Sequence, residues 1–187
     1  MGRMVSAAAV LVLIAFVAGQ VAGRRSSAAP DATIEQAGTT RPATTDISAM
    51  SPEERASRLF NRVMAYSEQG KMDSARFFAP MAIQAYLMMG PLTPHARYDI
   101  GDISAAVGEA AMARSEADSI LVAQPNHLLG LALAIRAATM AGDSTAAASF
   151  RRRLVAAAPA ERTRDLKEYK EHARDIDEAL EAAGRAP

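Results

Sequence analysis

The chain of 187 residues has no cysteine and no tryptophan, and aromatic residues make up only 5% of it. Without cysteine it forms neither disulfide bonds nor thiolate zinc sites. Basic and acidic residues balance at 21 each, so the net basic charge that is typical of nucleic-acid-binding domains is missing. No run of alternating valine, isoleucine or threonine indicates a β-strand. These absences favour a helical protein and argue against nucleic acid as its partner.

The sequence instead contains many small residues and a repeat of fixed period. Half of the residues are hydrophobic and alanine is abundant, which suits closely packed helices. Three prolines, Pro91, Pro125 and Pro159, follow one another at a spacing of 34 residues. Before each proline stand a glycine and, five residues after it, an alanine: Gly70 with Ala75, Gly108 with Ala113, and Gly142 with Ala147. A period of 34 predicts an array of helical hairpins.

Each part of this repeat has a physical reason. A glycine readily adopts the left-handed conformation in which a helix ends, so it marks the turn of each hairpin. Asp73 and Asp143 follow the turns closely and are expected to cap the second helices. Each proline stops the second helix or opens the next one, because it has no backbone N–H. Ser51, followed by Pro52 and two glutamates, predicts the start of the first helix.

On these residues the chain resembles the tetratricopeptide repeat (TPR) family over residues 52–159. The second and third copies carry most of the likeness, through Gly101, Gly108, Ala113 and Pro125 in one and Gly142, Ala147 and Pro159 in the other. The first copy offers Tyr66, Gly70, Ala75 and Ala82, but its glycine lies 21 residues before its proline instead of 17. This insertion around Pro80 predicts a longer, kinked second helix.

The copies are divergent, because Arg97 and Leu131 stand where the family has a large aromatic residue. The resemblance implies an all-α fold, a right-handed superhelical array of three TPR-like hairpins in which the first helix of each hairpin lines a concave groove. A helical-hairpin protein of another family is the alternative. A last helix within residues 160–187 is expected to cap the array.

The apolar stripe of this last helix recurs at steps of three and four residues and consists of Leu166, Tyr169, Ala173, Ile176 and Leu180. A coiled-coil seam would show the same pattern, but the stripe lasts only about two heptads. We therefore expect a lid that packs on the second helix of the third hairpin, around Phe150 and Leu154.

Copy-to-copy matching with the family places three residues of each first helix in the groove. These are Phe60, Met64 and Ser67, then His95, Tyr98 and Asp102, then Leu129, Arg136 and Met140. The predicted partner-binding set within them is Phe60, Met64, Tyr98, Asp102, Arg136 and Met140. Its mixed character and small net charge favour an apolar or helical segment of a protein partner. The alternative is that several of these residues pack against the linker or the last helix.

Residues 4–23 contain no charged side chain over 20 positions, about the length that crosses a bilayer. We predict a single-pass membrane anchor within residues 1–23, with the repeats of residues 51–159 on the periplasmic or extracytoplasmic side. A cleaved signal peptide is the alternative, because the apolar centre is short and small residues end at Gly23. Residues 24–50 are rich in Ser, Thr, Ala and Pro and predict a disordered linker.

The sequence offers little for catalysis. No P-loop, HExxH, GxSxG or paired CxxC motif is present. His95, His127 and His172 are far apart in the sequence, and the first two follow prolines at helix starts, which predicts surface positions. Two pairs of acids at a spacing of three, expected on solvated faces, are Asp99 with Asp102 and Asp175 with Glu178. We expect no enzymatic activity, no cofactor, no metal ion and no small-molecule substrate.

Two functions follow from this sequence. The first is a membrane-tethered adaptor or scaffold that binds a protein partner through the groove of its repeats. The alternative is a cleaved, exported soluble protein that acts as a subunit of a larger envelope assembly. The spacing of 34 between Asp102 and Arg136 also predicts a salt bridge between equivalent positions of neighbouring first helices.

Overall fold

A computed structural model describes residues 50–185 of the chain. Within this range it contains eight α-helices and no β-strand. The helices are α1 (Pro52–Glu68), α2 (Met72–Leu87), α3 (Pro94–Ala106), α4 (Ala110–Ala123), α5 (Leu128–Met140), α6 (Ser144–Glu161), α7 (Lys167–Glu171) and α8 (Ala173–Arg185). A 3₁₀ turn, Arg162–Arg164, follows α6. The predicted anchor and nearly all of the predicted linker lie outside the described residues.

The first six helices form three consecutive hairpins. Helix α1 packs on α2, α3 on α4, and α5 on α6, and further contacts join α2 to α3 and α4 to α5. The first helices of the hairpins also touch one another, α1 with α3 and α3 with α5. The described part of the chain is thus a helical array, as the period of 34 residues predicts.

The turns of the hairpins confirm the role predicted for the glycines. Gly70, Gly108 and Gly142 have φ angles of 69°, 96° and 73°, the left-handed region in which a side chain is strained. Each backbone N–H of these glycines donates to a carbonyl of the helix that ends there. The repeat is therefore visible in the backbone as well as in the sequence.

Two of the three predicted helix caps are present. The Ser51 hydroxyl accepts from the Glu54 N–H at 3.1 Å, and the Glu54 carboxylate accepts from the Ser51 N–H at 2.8 Å, which makes a complete capping box. Asp143 Oδ1 accepts from the Ala146 N–H at 2.9 Å. The cap predicted for Asp73 is wrong, because the N-cap residue of α2 is Lys71, which makes no side-chain cap, and Asp73 lies inside the first turn of the helix.

The prolines differ in position. Pro91 and Pro125 lie in the connections between hairpins, as predicted, whereas Pro159 lies inside α6, close to its end. Its missing N–H interrupts only the last turn there, so the helix continues to Glu161. Pro80 lies inside α2, which is 16 residues long, against 14 for α4.

Glycines and alanines let the helices approach closely. Ala113 and Ala147 are buried. A Cβ atom on Gly101 would lie 2.2 Å from Leu133 Cδ2, and one on Gly130 would lie 2.8 Å from Ile120 Cγ2. A side chain at either position would therefore displace a residue of the adjacent hairpin, Leu133 or Ile120.

The predicted single last helix is divided into α7 and α8. Asp165 adopts a left-handed conformation (φ 54°) after the 3₁₀ turn, and the helix breaks at His172. We call residues 166–185 the C-terminal segment. Tyr169 and Ile176 are buried in the core cluster that also contains Phe150 and Leu154, as expected of a lid.

The residues of the predicted apolar stripe differ in burial. Leu166 and Leu180 are partly buried against the same cluster, but Ala173 is exposed. Helix α8 contacts α5 and α6, so the segment covers the end of the array. None of the helices in residues 50–185 combines the length and the apolar character needed to span a bilayer.

The hydroxyl of Tyr169 holds the C-terminal segment in place, and removal of this hydroxyl should destabilise the fold. The hydroxyl donates to Glu161 Oε2 at 2.8 Å and accepts from the buried Leu128 N–H at 3.0 Å. Tyr169→Phe leaves that N–H without its partner, so we expect the free energy of unfolding to fall by about 1–3 kcal/mol in denaturant titrations.

The matched control is Tyr66→Phe. The Tyr66 ring stacks on Phe78, and its hydroxyl makes no hydrogen bond among residues 50–185. We expect this variant to change stability by less than about 0.5 kcal/mol. Equal effects of the two substitutions would contradict the role assigned to the Tyr169 hydroxyl.

Candidate functional site: a polar cleft on the first helices

A cleft of about 760 Å³ lies between α1, α3 and the C-terminal segment. We call the surface of α1, α3 and α5 that faces this segment the inner face. The cleft wall combines apolar and polar side chains, among them Phe60, Met64, Tyr86, Met89, His95, Asp99, Asp102, Glu171, His172 and Asp175. The C-terminal segment thus supplies one wall and the predicted groove supplies the other.

His172 lies at the centre of the contacts between the two walls. Its ring meets those of Tyr98 (centroids 4.7 Å apart), His95 (5.2 Å) and Phe60 (6.3 Å), each nearly edge to face. The residue lies at the break between α7 and α8, and its ring contacts both α1 and α3. Three elements distant in sequence therefore meet at one imidazole.

Two histidines and one aspartate converge at this point. His172 Nε2 lies 3.1 Å from His95 Nε2 and 3.1 Å from Asp99 Oδ1. Asp99 Oδ2 lies 3.7 Å from His95 Nε2, and Glu171 Oε2 approaches the same nitrogen at 3.5 Å. Asp99 Oδ1 is buried, and no donor within the described residues reaches it with hydrogen-bonding geometry.

A second carboxylate orients His172 from its other side. His172 Nδ1 donates to Asp175 Oδ2 at 3.1 Å, and the Tyr98 hydroxyl donates to the same oxygen at 3.0 Å. These bonds lower the pKa of Asp175, with the hydrogen bond from His172 as the main cause. Burial raises the pKa of Tyr98 well above its ordinary value, so it remains a donor.

Opposing effects act on the protonation of His172. Burial by itself lowers the pKa of an imidazole, but the neighbouring carboxylates of Asp175 and Asp99 outweigh it and raise the pKa to about 9. The ring is therefore cationic at neutral pH. It offsets part of the negative charge that Asp99 and Asp175 bring into the cleft.

The predicted salt bridge between Asp102 and Arg136 is confirmed. Arg136 Nη1 donates to Asp102 Oδ1 and joins α3 to α5. Asp102 is only 5% exposed, and this burial raises the pKa of its carboxyl to about 6, although the Arg136 charge opposes the shift. The bridge is therefore part of the folded array and compensates a buried charge.

The six predicted partner-binding residues divide into two groups. Tyr98 and Asp102 are buried beneath the C-terminal segment. Phe60 and Met64 are partly exposed in the cleft, the Arg136 side chain is 44% exposed, and Met140 is 39% exposed. Of the other positions matched to the groove, His95 lines the cleft and Leu129 is buried in the core, while Ser67 is partly buried and its hydroxyl donates to the Ala106 carbonyl at 3.4 Å.

Two expectations about polar residues, which concern His127 and the pair Asp99 and Asp102, are wrong. His127 is fully buried, because its Nδ1 accepts from the Gly130 N–H at the start of α5 and its ring packs on Tyr169. Asp99 and Asp102 are buried instead of solvated, because the C-terminal segment covers α3. The spacing of residues along α3 did not indicate that the C-terminal segment covers this helix.

The sequence did not indicate that His172 joins His95 and Asp99. His95 and His172 are 77 residues apart, and only the break at His172 brings their rings into contact. The one available signal was the spacing of four between His95 and Asp99, which places both on the same face of α3. Arg97, at a position where TPR sequences have an aromatic residue, instead binds Glu116 of α4 at 2.9 Å.

Asp102→Asn should remove a pH-dependent contribution to stability. Because the folded-state pKa of about 6 exceeds the ordinary 3.8, the folded protein binds more protons than the unfolded chain between these values. This contribution is fully present below the ordinary pKa and is lost as the pH rises through about 6. Relative to Asp102→Asn, the wild type should gain about 2–3 kcal/mol between about pH 7 and about pH 4.

Denaturant titrations over this pH range measure the gain, and Asp118→Asn is the control. Asp118 is a half-exposed residue of α4 that pairs with Arg114. Its replacement should leave the slope of stability against pH close to that of the wild type. Parallel curves for the wild type and Asp102→Asn would show that burial does not raise the Asp102 pKa.

Comparisons with known proteins add a structural likeness. No protein-family model matches the sequence, and no curated protein sequence matches it. The NMR structure of the first TPR domain of the human RPAP3 protein is similar at 18% sequence identity and a TM-score of 0.43, over 73% of this chain and 100% of that domain. Neither family membership nor function follows from a likeness of this size.

Proposed function

We propose that the helical array is a non-enzymatic scaffold that binds a segment of a protein partner on its inner face. The observation that carries this proposal is that the inner face already holds a helical segment of its own chain. His172 and Asp175 of that segment contact Phe60 and Tyr98 on the first helices. A surface that combines aromatic and charged side chains in this way is suited to binding a helix that also carries aromatic and charged side chains.

The part of the inner face left uncovered sets the chemistry of the partner. Phe60 and Met64 offer apolar surface in the cleft. The charged residues that line the same cleft are mostly acidic, with Glu53, Glu68, Asp99, Asp102, Glu171 and Asp175 against Lys167, Arg174 and the cationic His172. We therefore expect an apolar or helical segment that also carries basic side chains.

Site-specific photocrosslinking tests the position of this partner. A photoreactive residue at Met64, in the cleft, should crosslink one discrete protein in cells. The same residue at Val122, which is 85% exposed on α4, should not. The protein identified at Met64 should then bind the purified chain, and Met64→Glu should weaken that binding by at least about 10-fold, because it removes an apolar contact and introduces a charge that the partner must desolvate.

Val122→Glu is the matched control, since it adds the same charge on an exposed residue of the second hairpin. It should leave the affinity unchanged. Equal crosslinking at both positions, or equal loss of binding in both variants, would place the partner elsewhere on the array.

We further propose that residues 4–23 hold this scaffold at the cell membrane in a single pass, with the repeats on the periplasmic or extracytoplasmic side. Support comes from the 20 uncharged positions and from Arg24 and Arg25, which directly follow them and are unfavourable after a cleavage site. The alternative is a cleaved, exported subunit of an envelope assembly. The small residues that end at Gly23 favour that alternative.

An alkaline carbonate wash separates the two proposals. An uncleaved anchor buries about 20 apolar residues in lipid, so the protein should stay in the membrane fraction through high salt and carbonate. Mass spectrometry should then find the mature chain with residues 1–23 still present. Release into the soluble fraction, together with loss of these residues, would favour the exported subunit.

A further inference from the structure

We propose that His95, Asp99 and His172 form a binding site for a divalent transition-metal ion of the zinc type. The ion would join α3 to the C-terminal segment. This inference goes beyond partner binding, and its test does not depend on any partner.

The distances between the donor atoms carry the proposal. In a tetrahedral zinc site, with metal–ligand bonds of about 2.0–2.1 Å, neighbouring ligand atoms lie about 3.3 Å apart. The Nε2 atoms of His95 and His172 are 3.1 Å apart. Asp99 Oδ1 lies 3.1 Å from His172 Nε2, and Asp99 Oδ2 lies 3.7 Å from His95 Nε2. Three donors are thus arranged around one point before any ion binds.

The unsatisfied oxygen of Asp99 is an independent observation. Its side chain is only 9% exposed, and Oδ1 makes no hydrogen bond of normal geometry within the described residues; the group that it faces is His172 Nε2, at 3.1 Å. A buried carboxylate oxygen without a donor is unfavourable, and a cation at this point would satisfy it. Two imidazoles and a carboxylate are a donor set that suits zinc and related first-row ions.

The surroundings of His172 also suit a metal ligand. Its Nδ1 donates to Asp175, whose carboxylate is itself held by the Tyr98 hydroxyl. This is the arrangement in which a carboxylate fixes the orientation of a metal-bound imidazole and directs Nε2 to the ion. Asp175 is therefore a positioning residue for the site, while the partly exposed His95 leaves the ion a path from solvent.

A fourth ligand is close at hand. Glu171 Oε2 lies 3.5 Å from His95 Nε2, on the helix that ends just before His172. With Glu171 the site would have four protein ligands, and without it a water molecule would complete the tetrahedron. In either case the ion would fasten the C-terminal segment to α3 and oppose its release from the inner face.

The test is Zn²⁺ titration of the full-length protein by calorimetry at about pH 8; the ion must displace the proton that His172 holds, so the affinity should rise with pH. We expect one Zn²⁺ ion per chain and an affinity at least about 100-fold above that of His95→Gln and Asp99→Asn. The chain has no cysteine and only three histidines, so few other strong sites compete. Asp118→Asn, which changes an acid on α4, is the matched control and should bind like the wild type.

Two further measurements keep the result interpretable. Co²⁺ should give the intense visible absorption of tetrahedral coordination in the wild type and lose it in His95→Gln, whose fold is checked by circular dichroism. Asp175→Asn should keep the absorption but weaken the affinity by about 10–100-fold, as expected of a positioning residue. Zn²⁺ should also slow hydrogen exchange in residues 167–185 of the wild type.

The proposal is overturned if folded His95→Gln binds Zn²⁺ as tightly as the wild type. It is also overturned if the wild type shows no stoichiometric binding, in which case the cluster is a hydrogen-bonded imidazole pair beside a carboxylate. Neither result would affect the crosslinking at Met64, so failure of the metal site and failure of the scaffold proposal are distinguishable.

Discussion

The docking of the C-terminal segment on the first helices is the interaction on which the other features of this structure depend. Tyr169 and Ile176 close the hydrophobic core at the end of the array, while His172 and Asp175 cover α3. The apolar contacts supply most of the favourable free energy, because they remove side chains from water. The polar contacts determine how the segment lies, since each buried hydrogen bond or charge requires a partner in a defined position.

Because the C-terminal segment covers part of it, the inner face is less exposed to solvent than an open groove would be. Tyr98 and Asp102 become part of the interior, and the burial that follows raises the pKa values of both. The remaining cleft is bounded by Phe60 and Met64 on one side and by the C-terminal segment on the other. A partner that binds here meets the segment as well as the repeats, so the proposed metal ion and the proposed partner act on the same surface.

Much of the fold was predictable because its signals are local. The positive φ angles of Gly70, Gly108 and Gly142, the capping box at Ser51 and the burial of Ala113 and Ala147 all depend on contacts within one hairpin. The bridge between Asp102 and Arg136 was predictable for a related reason, since a repeat places equivalent residues side by side. The membrane segment and the partner-binding role stay predictions.

The sequence by itself determined the hairpins, their turns and the apolar stripe of the lid, because periodicity and turn chemistry act over a few residues. Only the tertiary structure decided the break at His172, the burial of His127 and Asp99, and the meeting of His95 with His172. They depend on where the C-terminal segment lies on the array, and no local sequence pattern encodes that position. His172 of this segment, for example, is 77 residues from His95 in the sequence. The candidate site belongs to this second group because its ligands come from two elements that contact each other only after the array has folded.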